Sequence, residues 1–294
     1  MQQNNDLENL VEDIIKFGDC LLVSRKGTGK TNNLMVLARE FRELPDTRVF
    51  IFEDFPKWMK EFDKVGYFII HDEDVLETSH TIDMEDYFLR HSRDYTILRG
   101  RELIDALKNN KDLIFVSEIQ DIERQAFFIY AIVYYFYRKA YLRAYKDYHK
   151  TERIIFIIEE SQNVFDASTI SKKIFNRLRK IYSVARNLDL HFVFASQRLQ
   201  DLNTKIRARA ELLCGPPCLD DFDLKFYRLL RNSQYRHEIL HFEIGEFLWT
   251  TKDKIVRFPR FDSRGKPFEI QQKTEEKLGF FQRILEKIKK IFRK

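Results

Sequence analysis

The sequence predicts an α/β fold: a mostly parallel central sheet flanked by helices. Short runs of Ile, Val, Leu and Phe alternate with longer helical patterns, as strands joined by crossover helices require. Those runs are continuous rather than alternating, which suits parallel strands covered on both faces. The first run also feeds a glycine loop, Gly27-Thr28-Gly29, that opens directly onto a helical pattern, the setting of a phosphate-cradling loop.

In chain order, the first predicted strand is "CLLV" at 20–23, followed by the loop and a helix over about 30–43. "RVFIF" at 48–52 and "YFII" at 67–70 are the next two strands, and residues 72–100 read as an insertion or irregular layer. A helix over about 101–109 leads to the strand "LIFVS" at 113–117. A long helix at 121–148 contains "AFFIYAIVYYFY", 126 to 137, which is too short to span a bilayer and is flanked by Arg124 and Arg138, so it reads as a buried helix. Then come "RIIFIIEE" at 153–160, a helix at about 168–187, and "LHFVFASQ" at 190–197. "ELLCG" at 211–215, a helix at about 222–232 and "EFLWTT" at 246–251 complete the core. Residues 1–262 are thus expected to form one domain, and 263–294 a linker and a basic amphipathic helix, "TEEKLGFFQRILEKIKKIFRK".

Bulk properties agree with a single globular α/β unit. With 44% hydrophobic and 33% charged residues, a chain of 294 can bury a sizeable core. Nine glycines and six prolines leave no low-complexity linker to divide it. The formal charge of +5 permits a nucleic-acid or membrane partner without demanding one. Three cysteines suggest no disulfide framework, and the polar, acidic start is neither a signal nor a transit peptide, so a cytoplasmic location is expected.

Three stretches carry chemistry. In "SRKGTGKTN", residues Ser24, Arg25, Lys26, Gly27, Thr28, Gly29, Lys30, Thr31 and Asn32 form the phosphate loop. Successive backbone N–H groups make an anion nest, and the positive end of the next helix adds to its field. Lys30 would reach the β- and γ-phosphates, and the Thr31 hydroxyl would ligate Mg²⁺. Ser24 stands where the motif has its first glycine, at the strand exit, where a small residue is needed. An ordinary glycine turn before a helix is the rival reading.

The second stretch is "RIIFIIEESQNVF". Two carboxylates at the end of an apolar strand are costly unless solvated or facing a cation. Glu159 would hold the Mg²⁺ shell and Glu160 would act as general base on the attacking water. Surface acids at an ordinary strand end, or Glu118 after "LIFVS" as the metal acid, are the alternatives. In the third stretch, "ARNLDLHFVFASQRLQDLNTKIRARAE", a strand ends in Ser196-Gln197-Arg198. Gln197 can set an amide beside a γ-phosphate, or merely order the loop. Arg186, Arg207 and Arg209 are candidates for an arginine that reaches a neighbouring subunit's γ-phosphate; solvated surface roles are the alternative for each.

Together these stretches resemble the FtsK–HerA superfamily of P-loop ATPases, which includes DNA translocases, conjugation ATPases and viral genome-packaging ATPases. "EIGEFLW" is similar to a glycine turn and strand near the end of such domains. The resemblance implies an additional-strand P-loop fold, hydrolysis of ATP with Mg²⁺, and a homo-oligomer, usually a hexameric ring around DNA. It also implies Glu159 and Glu160 as the acidic pair and Gln197 as the γ-phosphate sensor. Ser24 for glycine, Glu159 for aspartate and Leu199 for proline depart from the family pattern. The compact size looks most like the small ATPases of viruses and mobile elements, which would place the protein in a host cytoplasm.

The function expected on this basis is an ATP-driven motor that translocates or packages DNA, gripping backbone phosphate with little sequence specificity. One alternative is a membrane-associated assembly or secretion ATPase. Its anchor would be the C-terminal helix, whose Phe281, Ile284, Leu285, Ile288, Ile291 and Phe292 repeat at helical spacing and could dock on a membrane or a partner. A nucleotide-binding switch without turnover is another. The acidic and histidine run "HDEDVLETSH" and the pair Cys214 and Cys218 read as surface acids and an incomplete metal set, not zinc sites. Tyr141, Tyr145 and Tyr148 read as residues that pack the long helix against the sheet or a neighbouring subunit, with base stacking as the alternative.

Overall fold

The computed structural model of the chain describes residues 2–53, 66–70, 95–97, 107–108, 112–117, 122–147, 152–165, 172–198, 202, 210–217, 233–235 and 237–260. The strands are β1 Asp19–Val23, β2 Thr47–Glu53, β3 Gly66–Ile70, β4 Tyr95–Ile97, β5 Leu113–Ser117, β6 Arg153–Ile158, β7 Leu190–Ser196, β8 Glu211–Cys214, β9 Glu246–Trp249 and β10 Lys254–Arg257. They form one sheet in the order β10-β9-β8-β1-β7-β6-β2-β5-β3-β4. From β8 to β4 every neighbouring pair is parallel, and β9 and β10 add an antiparallel edge. Strand β7 lies between β1, which leads into the glycine loop, and β6, which leads into the acidic pair. That inserted strand is the additional strand of the P-loop class named above.

The helices are α1 Gln2–Phe17, α2 Lys30–Glu43, α3 Ile122–Asp147, α4 Gln162–Phe165 and α5 Lys172–Val184, the last running into a 3-10 turn at Ala185–Leu188. All residues of β1, β2 and β7 are buried, as strands covered on both faces must be. One face packs against α3 and α5 through a core rich in phenylalanine, including Phe50, Phe115, Phe136, Phe156, Phe192 and Phe194. Phe50 and Phe136 meet at 4.6 Å between ring centroids, and Phe165 of α4 meets Phe194 edge-on at 5.0 Å. On the other face α2 crosses β7 and β6 to reach β2, burying Leu34, Leu37, Ala38 and Phe41. The first compact unit of the chain spans Met1–Pro259. Among the described residues no helix is long and apolar enough to cross a membrane.

Several boundaries differ from expectation. The acidic strand stops at Ile158: Glu159 N still donates to Phe52 O of β2 (3.3 Å), but Ser161 N turns to Ala195 O of β7 (3.0 Å), so the chain leaves the β2 ladder at Glu160. The helix expected at 168–187 is described from Lys172 to Val184 and passes into a 3-10 turn over Ala185–Leu188, and 168–171 lie outside the described residues. The last predicted strand ends at Trp249, where a turn with Asp253 at φ 47° leads into β10. Helix α1, α4, β4 and β10 were not expected. In α1, Leu7, Leu10, Val11 and Ile14 are buried at i, i+3, i+4 and i+7, and the helix packs on α2, β1 and β10. Asp13 Oδ2 accepts from Lys252 Nζ at 2.9 Å, and Asp6 from Lys254, so α1 is also tied electrostatically to the β9–β10 edge. In α3 the inner side chains Ile129, Val133 and Phe136 are buried, but Tyr141 and Tyr145 are exposed and do not pack on this chain's sheet. The expected helices at 101–109 (apart from 107–108) and 222–232, the layer at 72–100 apart from β4, Tyr148, and the C-terminal helix lie outside the described residues.

Candidate nucleotide-binding site

The glycine loop leaves β1 at Val23, which pairs with Ser196 of β7. Gly27 and Gly29 have φ of 84° and 91°, a left-handed backbone that glycine adopts without a Cβ penalty. A Cβ on Gly27 would meet nothing within 4 Å, so the loop is open there. Gly29 is the N-cap of α2 and makes no side-chain hydrogen bond, so no capping side chain covers the helix start, the end of a helix that favours anions.

Ser24 is buried and braces the loop. The Thr28 hydroxyl donates to Arg25 O at 2.9 Å, so its single proton is spent there and the Ser24 hydroxyl donates to Thr28 Oγ1. Room for the Ser24 side chain comes from Gly215: a Cβ at that position would lie 2.8 Å from Ser24 Cβ. The same β8 exit holds the loop through Gly215 N to Val23 O (2.9 Å) and Arg25 N to Pro216 O (2.9 Å). On its other flank, Gly245 N donates to Thr28 O at 3.1 Å. Gly215, Pro216 and Gly245 were not singled out as site residues. The signal for the first two was "CGPPC", which reads as a cysteine pair until the fold brings it to the loop.

Lys30 Nζ donates to Ser24 O at 2.5 Å and Arg25 O at 3.0 Å, so its ammonium is held at the loop mouth by carbonyls. Thr31 Oγ1 donates to Glu159 Oε1. Glu159 is buried and Glu160 half-buried, its Oε2 accepting from Gln162 Nε2 at 2.5 Å. Ser161 fixes this bend, its hydroxyl donating to Ala195 O at 2.8 Å. At the end of β7 the Ser196 hydroxyl donates to Arg198 O at 2.8 Å and sets Gln197 at the tip of a turn, half-buried. Loop, acids and Gln197 therefore gather at the carboxyl ends of β1, β6 and β7, the usual place for ligands in open parallel sheets. Glu53, buried at the end of β2, joins them: Phe52 pairs with Ile158, so Glu53 lies beside Glu159 on the same face. An acid directly after "RVFIF" was its signal in the sequence.

Arg186 lies elsewhere. Its side chain is exposed and its stem runs along Gly18, where an added Cβ would sit 3.1 Å from Arg186 Cδ. Gly18 precedes β1, so Arg186 is at the opposite end of the sheet from its own phosphate loop. Arg207, Arg209, Glu118, Cys218 and the run 71–80 lie outside the described residues. Among the described residues no group of three or more His, Cys, Asp or Glu could hold a metal by itself.

The residues present fit a nucleoside triphosphate with a divalent cation. The loop is open at Gly27, the helix start is uncapped, and a lysine ammonium waits at the mouth. The Thr31 hydroxyl and the Glu159 carboxylate are hard oxygen donors already in contact, the type that suits Mg²⁺.

No family model and no curated protein matches the chain by sequence. Among solved structures it is similar to the genome-packaging NTPase B204 of Sulfolobus turreted icosahedral virus 2 bound to ATPγS, at 13% identity over 81% of this chain and 94% of that one, TM-score 0.46. It is similar to VirB4 of Thermoanaerobacter pseudethanolicus at 14% identity over 82% of this chain and 88% of that one, TM-score 0.47. ATPases 2 and 3 of EssC from Geobacillus thermodenitrificans align at 12% identity over 80% of this chain and 37% of that one, TM-score 0.40.

Proposed function

We propose that this protein is an ATPase that couples hydrolysis to the movement or packaging of DNA, acting as a homo-oligomeric ring. The observation that carries the ATPase reading is the convergence of Lys30, Thr31, Glu159, Glu160 and Gln197 at the ends of three adjacent parallel strands. The DNA half of the proposal rests on the sequence resemblance in "SRKGTGKT", "IIFIIEESQ" and "ARNLDLHFVFASQRLQ".

In this reading the loop N–H groups and the start of α2 hold the phosphates. Lys30 gives up the carbonyls of Ser24 and Arg25 for the β- and γ-phosphates. Thr31 and Glu159 would hold Mg²⁺, which neutralises phosphate charge when bound. Glu160 accepts the proton of the attacking water, with its second oxygen steadied by Gln162. Gln197 hydrogen-bonds the γ-phosphate and reports its loss to β7. An arginine from the next subunit stabilises charge in the transition state.

Phosphate release by the purified chain, with and without duplex DNA, tests this. DNA is expected to stimulate release, and Lys30→Ala and Glu160→Gln are expected to lower it by about 10²-fold or more. Release that ignores every nucleic acid overturns the motor reading. ATP binding without any release, DNA present, overturns the ATPase reading in favour of a switch.

A further inference from the structure

We propose that Ile244, on the turn before β9, is the platform on which the base of the bound nucleotide lies. The inference rests on residues 24–32 being a nucleoside triphosphate site. If the phosphates fill the loop, the γ end faces Glu159 and Gln197, and the flank toward β8 is closed by Gly215 and Pro216. Among the described residues, the rim left for the nucleoside runs beside Gly29 and the first turn of α2.

Ile244 stands on that rim. Its Cγ2 is 2.9 Å from the position a Cβ on Gly29 would take, yet the residue is 52% exposed. Single exposed aliphatic residues are common and mean little alone. This one is held in place from four directions. Glu246 N closes the turn on Glu243 O (3.0 Å), and Gly245, at φ 93°, occupies its left-handed third position. Gly245 N binds Thr28 O of the loop, and Phe258 N binds Gly245 O at 3.0 Å. Glu243 N is taken by Glu246 Oε2 at 2.9 Å. Beside it, Asn32 of α2 donates from Nδ2 to Pro259 O at 2.9 Å and fixes a second exposed apolar residue at the start of the helix. A rigid hydrocarbon surface next to an anion-binding loop suits the flat face of a nucleobase, which keeps its edges in solvent.

The test is equilibrium titration of the full chain, in Mg²⁺ buffer, with ATP and with inorganic tripolyphosphate, which has no base. Ile244→Asn is expected to weaken ATP about tenfold, the scale of losing half an isoleucine's burial, and, adding no charge, to change tripolyphosphate affinity by less than about twofold. Ile244→Leu should restore ATP binding, and Ile244→Ala should fall between. An unchanged ATP affinity in Ile244→Asn overturns the platform while leaving the nucleotide site intact. Equal losses for ATP and tripolyphosphate overturn it too, since they report a damaged loop. A wild-type chain that binds neither ligand overturns the nucleotide reading itself, and this inference with it.

Discussion

Ser24 brings a Cβ and a hydroxyl to a position where the loop motif has neither, and Gly215 on the neighbouring strand exit is what admits them. The two are coupled by distance: a Cβ on Gly215 would fall 2.8 Å from Ser24 Cβ and 3.0 Å from Phe247 Cζ. Gly215→Ala should therefore destabilise the chain by about 1–3 kcal/mol, as overpacking does. Adding Ser24→Gly should recover part of that loss but not all, because the contact with Phe247 remains. Denaturant midpoints of the four chains of this cycle give the coupling, and strictly additive effects would show that the two positions do not share space. Sequence alone marks Ser24 as a tolerated small residue; Lys30 and Thr31 are legible as the Gly-Lys-Thr of a glycine loop fed by an apolar run, and Glu159, Glu160 and Gln197 because they stand at the end of such a run. Gly215 and Ile244 are not legible in that way. Their meaning is a close approach between segments far apart in the chain, and no local pattern encodes it.

The strands that build the site read clearly for a physical reason. Buried on both faces, β1, β2, β6 and β7 carry polar residues only near their ends and an unbroken apolar run between them, which is easy to see. Elements that bury one stripe or lie at an edge read poorly. In α1 a stripe of four buried residues is diluted by polar ones, while β10, "KIVR", buries fully only Val256. At the opposite ends of the same strands a buried polar group fastens the elements together. Asp189, at φ 56° before β7, accepts from Arg153 Nε of β6 at 3.2 Å and meets His191 Nε2 at 2.8 Å; His191 Nδ1 meets Gly18 O, just before β1, at 2.9 Å. Burial alone would raise the Asp189 carboxyl, but the hydrogen bond with His191 and the charge of Arg153 outweigh it and hold the group below its ordinary value. A depressed carboxylate stabilises the fold above the unfolded value, near about pH 4, and loses that contribution as pH falls through the lower folded value. Asp189→Asn keeps a residue that tolerates the left-handed backbone and removes only the charge. It should cost about 2 kcal/mol at neutral pH, the scale of a hydrogen bond to a charged group. The deficit should shrink once the pH drops below about 4. Chemical denaturation of both chains across that range measures it, and a deficit constant with pH would mean that the charge of Asp189 is not what joins β6 to β7.

At the scale of the whole molecule, the position of Arg186 bears on assembly. Its stem lies along Gly18, and Ser24 opens the phosphate loop at the far end of β1, about 20 Å away at the rise of an extended strand. No arginine side chain spans that distance within one folded chain. If Arg186 contributes to hydrolysis at all, it does so at the site of another copy, with the carboxyl-end face of one subunit meeting the Ala185–Leu188 turn of the next. Mixing defective subunits tests this arrangement. Lys30→Ala spoils a subunit's own phosphate loop but leaves its arginine, and Arg186→Ala does the reverse. Each variant alone should release little phosphate. If the chain assembles as proposed, an intact loop on an Arg186→Ala subunit can face an intact arginine on a Lys30→Ala neighbour, so activity should return on mixing. Recovery should grow with the time allowed for subunits to exchange. Mixtures as inactive as their parts, after sedimentation has shown that the two variants co-assemble, would remove Arg186 from the site and leave the trans role to Arg207 or Arg209.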